Sequence, residues 1–153
     1  MEELARDDIF CLAEPSGLGA PYFRKDLGLL FSAPVEHLPA QRVATLLLEG
    51  IIFRVARILE DMHREFGVER VYLSGGLSGL PCLQQGVAQC VPFATVSRLD
   101  QADASLAGAA RLAAGMLHAG IRRAEAIGAG RDATVLPEKY AHWKGWLDDL
   151  LRT

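Results

Sequence analysis

A chain of 153 residues, half of them hydrophobic and 23% charged, is long enough for one domain with a full core and too apolar for a disordered or fibrous segment. Its net charge of −3, with no basic block, argues against a nucleic-acid partner or an anionic membrane surface, and no apolar run reaches spanning length. Three cysteines (Cys11, Cys82 and Cys90) are an odd number at no metal-ligand spacing, and the charged start MEELARDD has no signal-peptide core; reduced thiols in a cytoplasmic protein are expected.

The first predicted element is a strand over Ile9–Ala13, closed by Glu14 and Pro15. Ser16–Phe23, SGLGAPYF, follows as a rigid loop in which Gly17 and Gly19 permit unusual dihedrals and Pro21 fixes one. Tyr22 and Phe23 either border a site or pin the loop to the core, and this segment alone does not choose. Leu27–Phe31 reads as a second strand.

From Pro39 to Phe66 the apolar residues Val43, Leu47, Ile51, Val55, Ile58, Leu59, Met62 and Phe66 recur at helical spacing and predict one long helix buried along that stripe. Arg42, Arg54, Arg57, Glu60, Asp61 and Arg64 fall on other faces and are expected in solvent, and Gly67 is placed to end the helix. Mid-helix Gly50 costs about 1 kcal/mol against alanine, so close packing against another backbone is the expected reason for it. Glu49 beside it is either a paired polar group or a rim residue, and the rim is favoured.

Arg70–Ser74 is a short strand, broken by Gly75 and Gly76, and Ser78 through Pro81 leads into a helix over Pro81–Val91. A strand, a glycine pair and a helix start bring backbone close to a nucleotide, because no Cβ intervenes and the helix amides carry partial positive charge. The same turn also joins strands to helices with no ligand present, and taken alone the segment favours that plainer reading. Phe93–Arg98 is predicted as a strand, with Asp100 as N-cap and Asp103 at the capping-box position of a small-residue helix over Ala104–Gly120. Ile121–Pro137 reads as an irregular connection, and Glu138–Leu151 as an amphipathic helix carrying Tyr140, Trp143, Trp146, Leu147, Leu150 and Leu151. Strands alternating with helices imply an α/β domain with a central sheet flanked by helices.

Independent catalysis is not legible. His37, His63, His118 and His142 are scattered, with His63 and His118 expected on helix surfaces. No G-x-x-x-x-G-K-[ST], G-x-S-x-G or G-x-G-x-x-G occurs, and Glu14, Asp26 and Glu69 carry no mark of a base.

Taken together, four pieces resemble, in order, the C-terminal half of the FGGY carbohydrate kinases, the group that includes glycerol kinase and xylulokinase. SGLGAPYF at 16–23 is similar to the family's S-G-L-G-A-P-Y-W loop, and LLLEGIIFRVARILEDM at 46–62 to its "LEGIAF" helix. YLSGGLSGLPCLQQ at 72–85 resembles its strand and G-G loop, and DASLAGAARLAAG at 103–115 its "E-x-x-x-x-G-A-A" helix. The resemblance implies an actin-like (ribonuclease H-like) ATPase domain, partial, with residues 1–153 as a single domain. It is strongest over 10–120, and 121–153 form a C-terminal extension and helix.

By that resemblance ATP and Mg²⁺ lie in a cleft between two such domains, and nucleotide contact falls on Gly75 and Gly76, with Ser78 and Leu80 in the same turn. Leu80 stands where glycerol kinases place an adenine-contacting asparagine, and leucine cannot make that bond. Gly17, Gly19 and Tyr22 are expected to line the cleft. Phe23 replaces the family's tryptophan, and Arg24 stands where an aspartate is common, so no role is carried to it. The family's catalytic aspartate, its phosphate loop, its sugar-binding residues and a further Gly-Thr phosphate contact have no counterpart here. The chain is therefore expected to be inactive by itself, with an N-terminal kinase domain and a sugar or polyol as partners. The alternatives are a non-catalytic truncated actin-like module used for subunit interaction, and a plain α/β binding domain whose glycines only turn the chain. Self-association into a homo-oligomer or aggregate is expected through residues 17–31, where a domain partner would otherwise sit.

Overall fold

The apolar run around Gly50 contains no proline, and the chain forms one helix there, α1 (Ala40–Phe66, 27 residues). Gly67 closes it in the left-handed conformation, its N–H bonding the His63 carbonyl. The computed structural model describes residues 8–100, 103–116, 123–128, 130 and 134–153. Before α1 lie β1 (Cys11–Leu12) and β2 (Leu30–Phe31), an antiparallel pair. After it come β3 (Arg70–Leu73), α2 (Pro81–Cys90), β4 (Thr95–Leu99), α3 (Ala104–Ala113), β5 (Ala124–Ala126) and α4 (Val135–Arg152). β3 and β4 pair in parallel, with Val71 opposite Val96 and α2 as the crossover between them. β5 joins the other edge of β4 antiparallel, with Arg98 opposite Glu125. The α/β expectation with a central sheet holds.

Helices α1, α2 and α4 share one core with this sheet, built on Phe53, Val71, Leu83, Val87, Val96 and Trp143. Gly50 is needed for the reason expected: a Cβ there would lie 2.7 Å from the Cys11 carbonyl oxygen, so α1 crosses β1 backbone to backbone. A second glycine does the same for α2, since a Cβ on Gly86 would meet Ile52 Cδ1 at 2.5 Å.

These two close approaches explain why the buried face of α1 is not the expected stripe. Leu46, Glu49, Gly50, Ile52, Phe53, Arg54 and Ala56 are buried, whereas Met62 and Phe66 are 41% and 79% exposed. Small residues, rather than the bulkiest ones, mark where neighbours come closest. Glu49 is accordingly no rim residue. Its carboxylate takes a 2.7 Å bond from Lys139 of α4, with both side chains inside the protein. Arg54, expected in solvent, is buried as well.

The remaining departures follow from tertiary pairing. β1 and β2 are two residues each, because a strand lasts only as long as its partner. The N–H of Asp100 goes to the Arg123 carbonyl at 3.3 Å and extends the β4–β5 ladder; α3 therefore starts after Asp103, whose side chain makes no cap bond. That ladder also makes a strand of Ala124–Ala126, within the segment read as irregular. β4 starts at Thr95 and α4 at Val135, two residues later and three earlier than expected. Helix α3 ends at Ala113; residues 117–120, and His118 with them, lie outside the described residues. His63 is half-buried, its Nδ1 2.9 Å from the Val68 carbonyl and its ring stacked on Phe93 at 4.4 Å, so it ties the end of α1 to the segment leading into β3.

All three cysteines are free. Burial first, and then Glu49, pushes the Cys11 thiol up to about 12 from 9.0. Burial followed by Glu60 does the same to Cys90. Iodoacetamide at pH 8 should label only half-buried Cys82 in the folded protein and all three after denaturation, counted by intact mass. The stability carried by the two neutral thiols is fully present below pH 9 and lost as pH rises towards 12, because the unfolded thiols ionise first. Native labelling at Cys11 or Cys90 as fast as at Cys82 would contradict this burial.

Candidate functional site

Gly75 leaves β3 with φ +93°, a conformation L side chains rarely adopt, and the chain then winds a single 3-10 turn over Gly76–Gly79 before Pro81 opens α2. The turn is closed by its own polar groups. Ser78 is buried, its Oγ donating to the Gly75 carbonyl at 2.6 Å, while its own carbonyl accepts Gln84 Nε2 at 2.6 Å. Ser78 thus shapes the turn from inside. Gly76 and Gly79 face outward, and a Cβ on either would meet nothing within 4 Å. Leu77 and Leu80 are 54% and 41% exposed beside them. The result is bare, rigid backbone next to two accessible apolar side chains.

In parallel sheets ligands collect outside the carboxyl ends of the strands. Leu73 pairs with Arg98, so the glycine turn and the end of β4 share that edge. There a cleft of about 460 Å³ is lined by Arg98, Asp100, Arg123, Ala124 and Glu125. Sequence reasoning missed this cleft, because Arg123 reaches it only through the unforeseen β4–β5 pairing.

The other predicted site residues are elsewhere. Gly17 has φ +95° and passes 2.8 Å, measured from a Cβ position, from Lys25 Cα, so it is required by the loop's own crossing. Leu18 N–H bonds both the Arg24 and Leu27 carbonyls at 2.9 Å, and Gly19 N–H bonds Glu14 Oε2 at 2.8 Å; the Ala20–Pro21 bond is cis. Arg54 of α1 clamps the whole loop. Its Nε donates to Glu14 Oε1 and its Nη2 to the Ala20 carbonyl, both at 2.5 Å, and its guanidinium lies 5.1 Å from the centre of the Tyr22 ring. Arg57 donates to the Tyr22 hydroxyl at 3.2 Å. Tyr22 therefore pins the loop to α1, whereas Phe23 next to it is 75% exposed. Leu29 and Leu30 are exposed as well, at 52% and 37%.

Arg24, to which no role was carried, forms an ion pair with Asp26. Hydrogen bonding from its guanidinium holds the Asp26 carboxyl down to about 2, which makes it a poor base. Glu14 is engaged by Arg54. The two glycine-rich segments are anchored to different elements and share no hydrogen bond among the described residues. No group of three His, Cys, Asp or Glu side chains able to hold a metal ion occurs among the described residues. No described helix is long and apolar enough to cross a membrane.

Comparison with known proteins gives one consistent result. Residues 2–117 match the C-terminal domain of the FGGY family of carbohydrate kinases. Glycerol kinase 2 of Streptomyces coelicolor is 30% identical over 88% of this chain and 30% of its own length. The crystal structure of Plasmodium falciparum glycerol kinase with ADP superposes with a TM-score of 0.69 at 19% identity, covering 93% of this chain and 30% of that one. Ligand-bound xylulose kinase from Lactobacillus acidophilus gives 0.66 at 13% identity, covering 94% and 31%. At these identities the structures establish the fold, and the chain spans about 30% of the length of the relatives it matches.

Proposed function

Because the chain belongs to the FGGY family of carbohydrate kinases and carries its C-terminal domain, with the actin-like ATPase fold, we propose that it supplies the nucleotide-side wall of a phosphoryl-transfer cleft. One observation carries this reading. The turn at the carboxyl end of β3 presents Gly76 and Gly79 with open space where side chains would stand, held in shape from within by Ser78 and Gln84. Backbone can then approach a nucleotide without steric hindrance, and Leu77 and Leu80 offer apolar surface to the base. Leu80 cannot accept or donate a hydrogen bond there, so binding selects adenine weakly. ATP is the donor in this reading and a sugar or polyol the acceptor. Mg²⁺ would arrive with the nucleotide, since the described residues provide no cage for it.

Phosphoryl transfer needs in-line positioning and neutralisation of the γ-phosphate. In this reading the catalytic base and the opposite wall of the cleft come from another domain. The chain alone is expected to turn over no glycerol, xylulose or ribulose. We take residues 1–153 as one domain acting in the cytoplasm. The presence of Trp143 and Leu147 of α4 in the same core as Val71 and Val96 supports the single domain.

The test is a nucleotide titration followed by NMR. ATP is expected to bind with Kd on the order of millimolar, about 4 kcal/mol. Shifts should cluster at Ser74–Leu80. Gly76→Val should abolish them with little change in melting, since its side chain enters open space; Gly75 is unsuitable because of its positive φ. Shifts on another surface, or shifts that survive the valine, would leave the glycines as turn residues only.

A further inference from the structure

The paired ends of β4 and β5 gather four charges. Arg98 stands opposite Glu125 in the ladder, and the bond from the Asp100 N–H to the Arg123 carbonyl carries the pairing two residues further. Side chains two apart on a strand share a face, so Arg98 and Asp100 lie together with Glu125 and Arg123. The four line the cleft of about 460 Å³, and Ala124 between them adds no polar side chain.

Opposite charges placed directly across a strand pair ordinarily engage one another. These do not. Among the described residues, none of the four makes a side-chain hydrogen bond or ion pair, and all four are exposed. Elsewhere the same chain closes such pairs, Arg54 on Glu14 and Lys139 on Glu49. The donors and acceptors of the cleft are therefore all available to a ligand.

Their arrangement says which ligand. Like charges fall on diagonals, Arg98 with Arg123 and Asp100 with Glu125, and diagonal neighbours are about 7–8 Å apart. Two guanidiniums at that separation can close on one tetrahedral anion, each with parallel N–H donors. Ionised carboxylates only accept, so they repel a bare anion and hold hydroxyl groups instead. One molecule satisfies both diagonals if it carries a phosphate and hydroxyls together.

We propose that this cleft is a second binding site, for a phosphate monoester bearing hydroxyl groups, with Arg98 and Arg123 on the phosphate and Asp100 and Glu125 accepting from the hydroxyls. Its volume is in the range of small-molecule sites, and it lies at the carboxyl end of β4. It sits one strand from the glycine turn, since Leu73 pairs with Arg98, and shares no residue with that turn. A hydroxylated phosphate ester is the product class of a sugar or polyol kinase. That link rests on the reading under Proposed function, whereas the charge pattern of the cleft does not.

The test titrates glycerol 3-phosphate, inorganic phosphate and glycerol separately into the full chain, followed by amide NMR. Glycerol 3-phosphate should shift Arg98–Asp100 and Arg123–Glu125 and bind at least tenfold more tightly than either of the others. Arg98→Gln with Arg123→Gln should weaken it at least tenfold, with unchanged melting and with the ATP shifts at Ser74–Leu80 intact. Asp100→Asn with Glu125→Gln should erase the preference over inorganic phosphate, because the repulsion and the hydroxyl acceptors go together. Absence of shifts in the cleft overturns the proposal. So does equal affinity for glycerol 3-phosphate and inorganic phosphate in the parent, which would leave a cationic patch without selectivity. Shifts confined to Ser74–Leu80 and lost in Gly76→Val would assign the phosphate to the nucleotide turn and overturn it too. ATP and glycerol 3-phosphate are read at different amides, so the nucleotide reading and this one can fail separately.

Discussion

Lys139→Met is expected to lower the stability of the fold by about 3–5 kcal/mol, because it removes the ammonium closest to the buried Glu49 carboxylate. The two groups are 2.7 Å apart, and their side chains are only 2% and 5% exposed. They join α4 to α1 across the core, 90 residues apart in sequence. Arg42, only 17% exposed, approaches the other oxygen of Glu49 at 3.9 Å and offsets part of the loss. Against a total stability of about 5–15 kcal/mol, such a loss moves the urea midpoint by a large fraction of its value. Replacing both partners, Glu49→Leu with Lys139→Met, should recover most of it, since a well-packed apolar pair no longer needs compensation. A single variant as stable as the parent would mean that water reaches this pair. A double variant no better than the single would place the cost in shape rather than charge.

Trp143→Ala is expected to cost about 3–5 kcal/mol, the range for deleting a large core side chain. Trp143 is wholly buried, its ring 5.8 Å from that of Phe53 and 6.1 Å from that of Tyr140. Its Nε1 donates to the Cys11 carbonyl at 3.0 Å, tying the C-terminal helix to the first strand. For a domain of this size each kcal/mol lowers Tm by about 2–4 °C, so a fall of roughly 6–20 °C is expected in a thermal melt. Trp143→Phe keeps the aromatic packing and loses the bond, and should fall between alanine and the parent. A small loss for the alanine variant would show that α4 is an appendage, and the single-domain reading would fail with it.

Residues 17–31, through which self-association is expected, divide in side-chain exposure. Phe23, Leu29 and Leu30 are exposed, but Tyr22 is held down by Arg54 and Arg57, and Leu18 and Leu27 are buried. The loop's rigidity was legible because glycine and proline act through local dihedrals. Its clamp was not, because an arginine on a helix looks the same from the sequence whether it meets water or a carboxylate 40 residues away.

The elements whose cause is local could be read directly. The 3.6-residue repeat of α1, its glycine stop at Gly67, the break at Gly75 and the start of α2 at Pro81 all depend on neighbours within a turn or two. The order of four short motifs was enough to identify the family, since it needs no knowledge of contacts. Only the tertiary structure decided which face of α1 is buried, because that depends on Gly50 and Gly86 letting β1 and α2 come close. It also decided the fate of Glu49, whose choice between rim and interior rests on a lysine far along the chain. It made Ala124–Ala126 a strand, since a tripeptide of weak β-propensity extends only when β4 offers a free edge. What the sequence determined by itself was set by backbone chemistry at short range. What it left open was decided by which surfaces meet, and burial, pairing and charge compensation exist only once they have met.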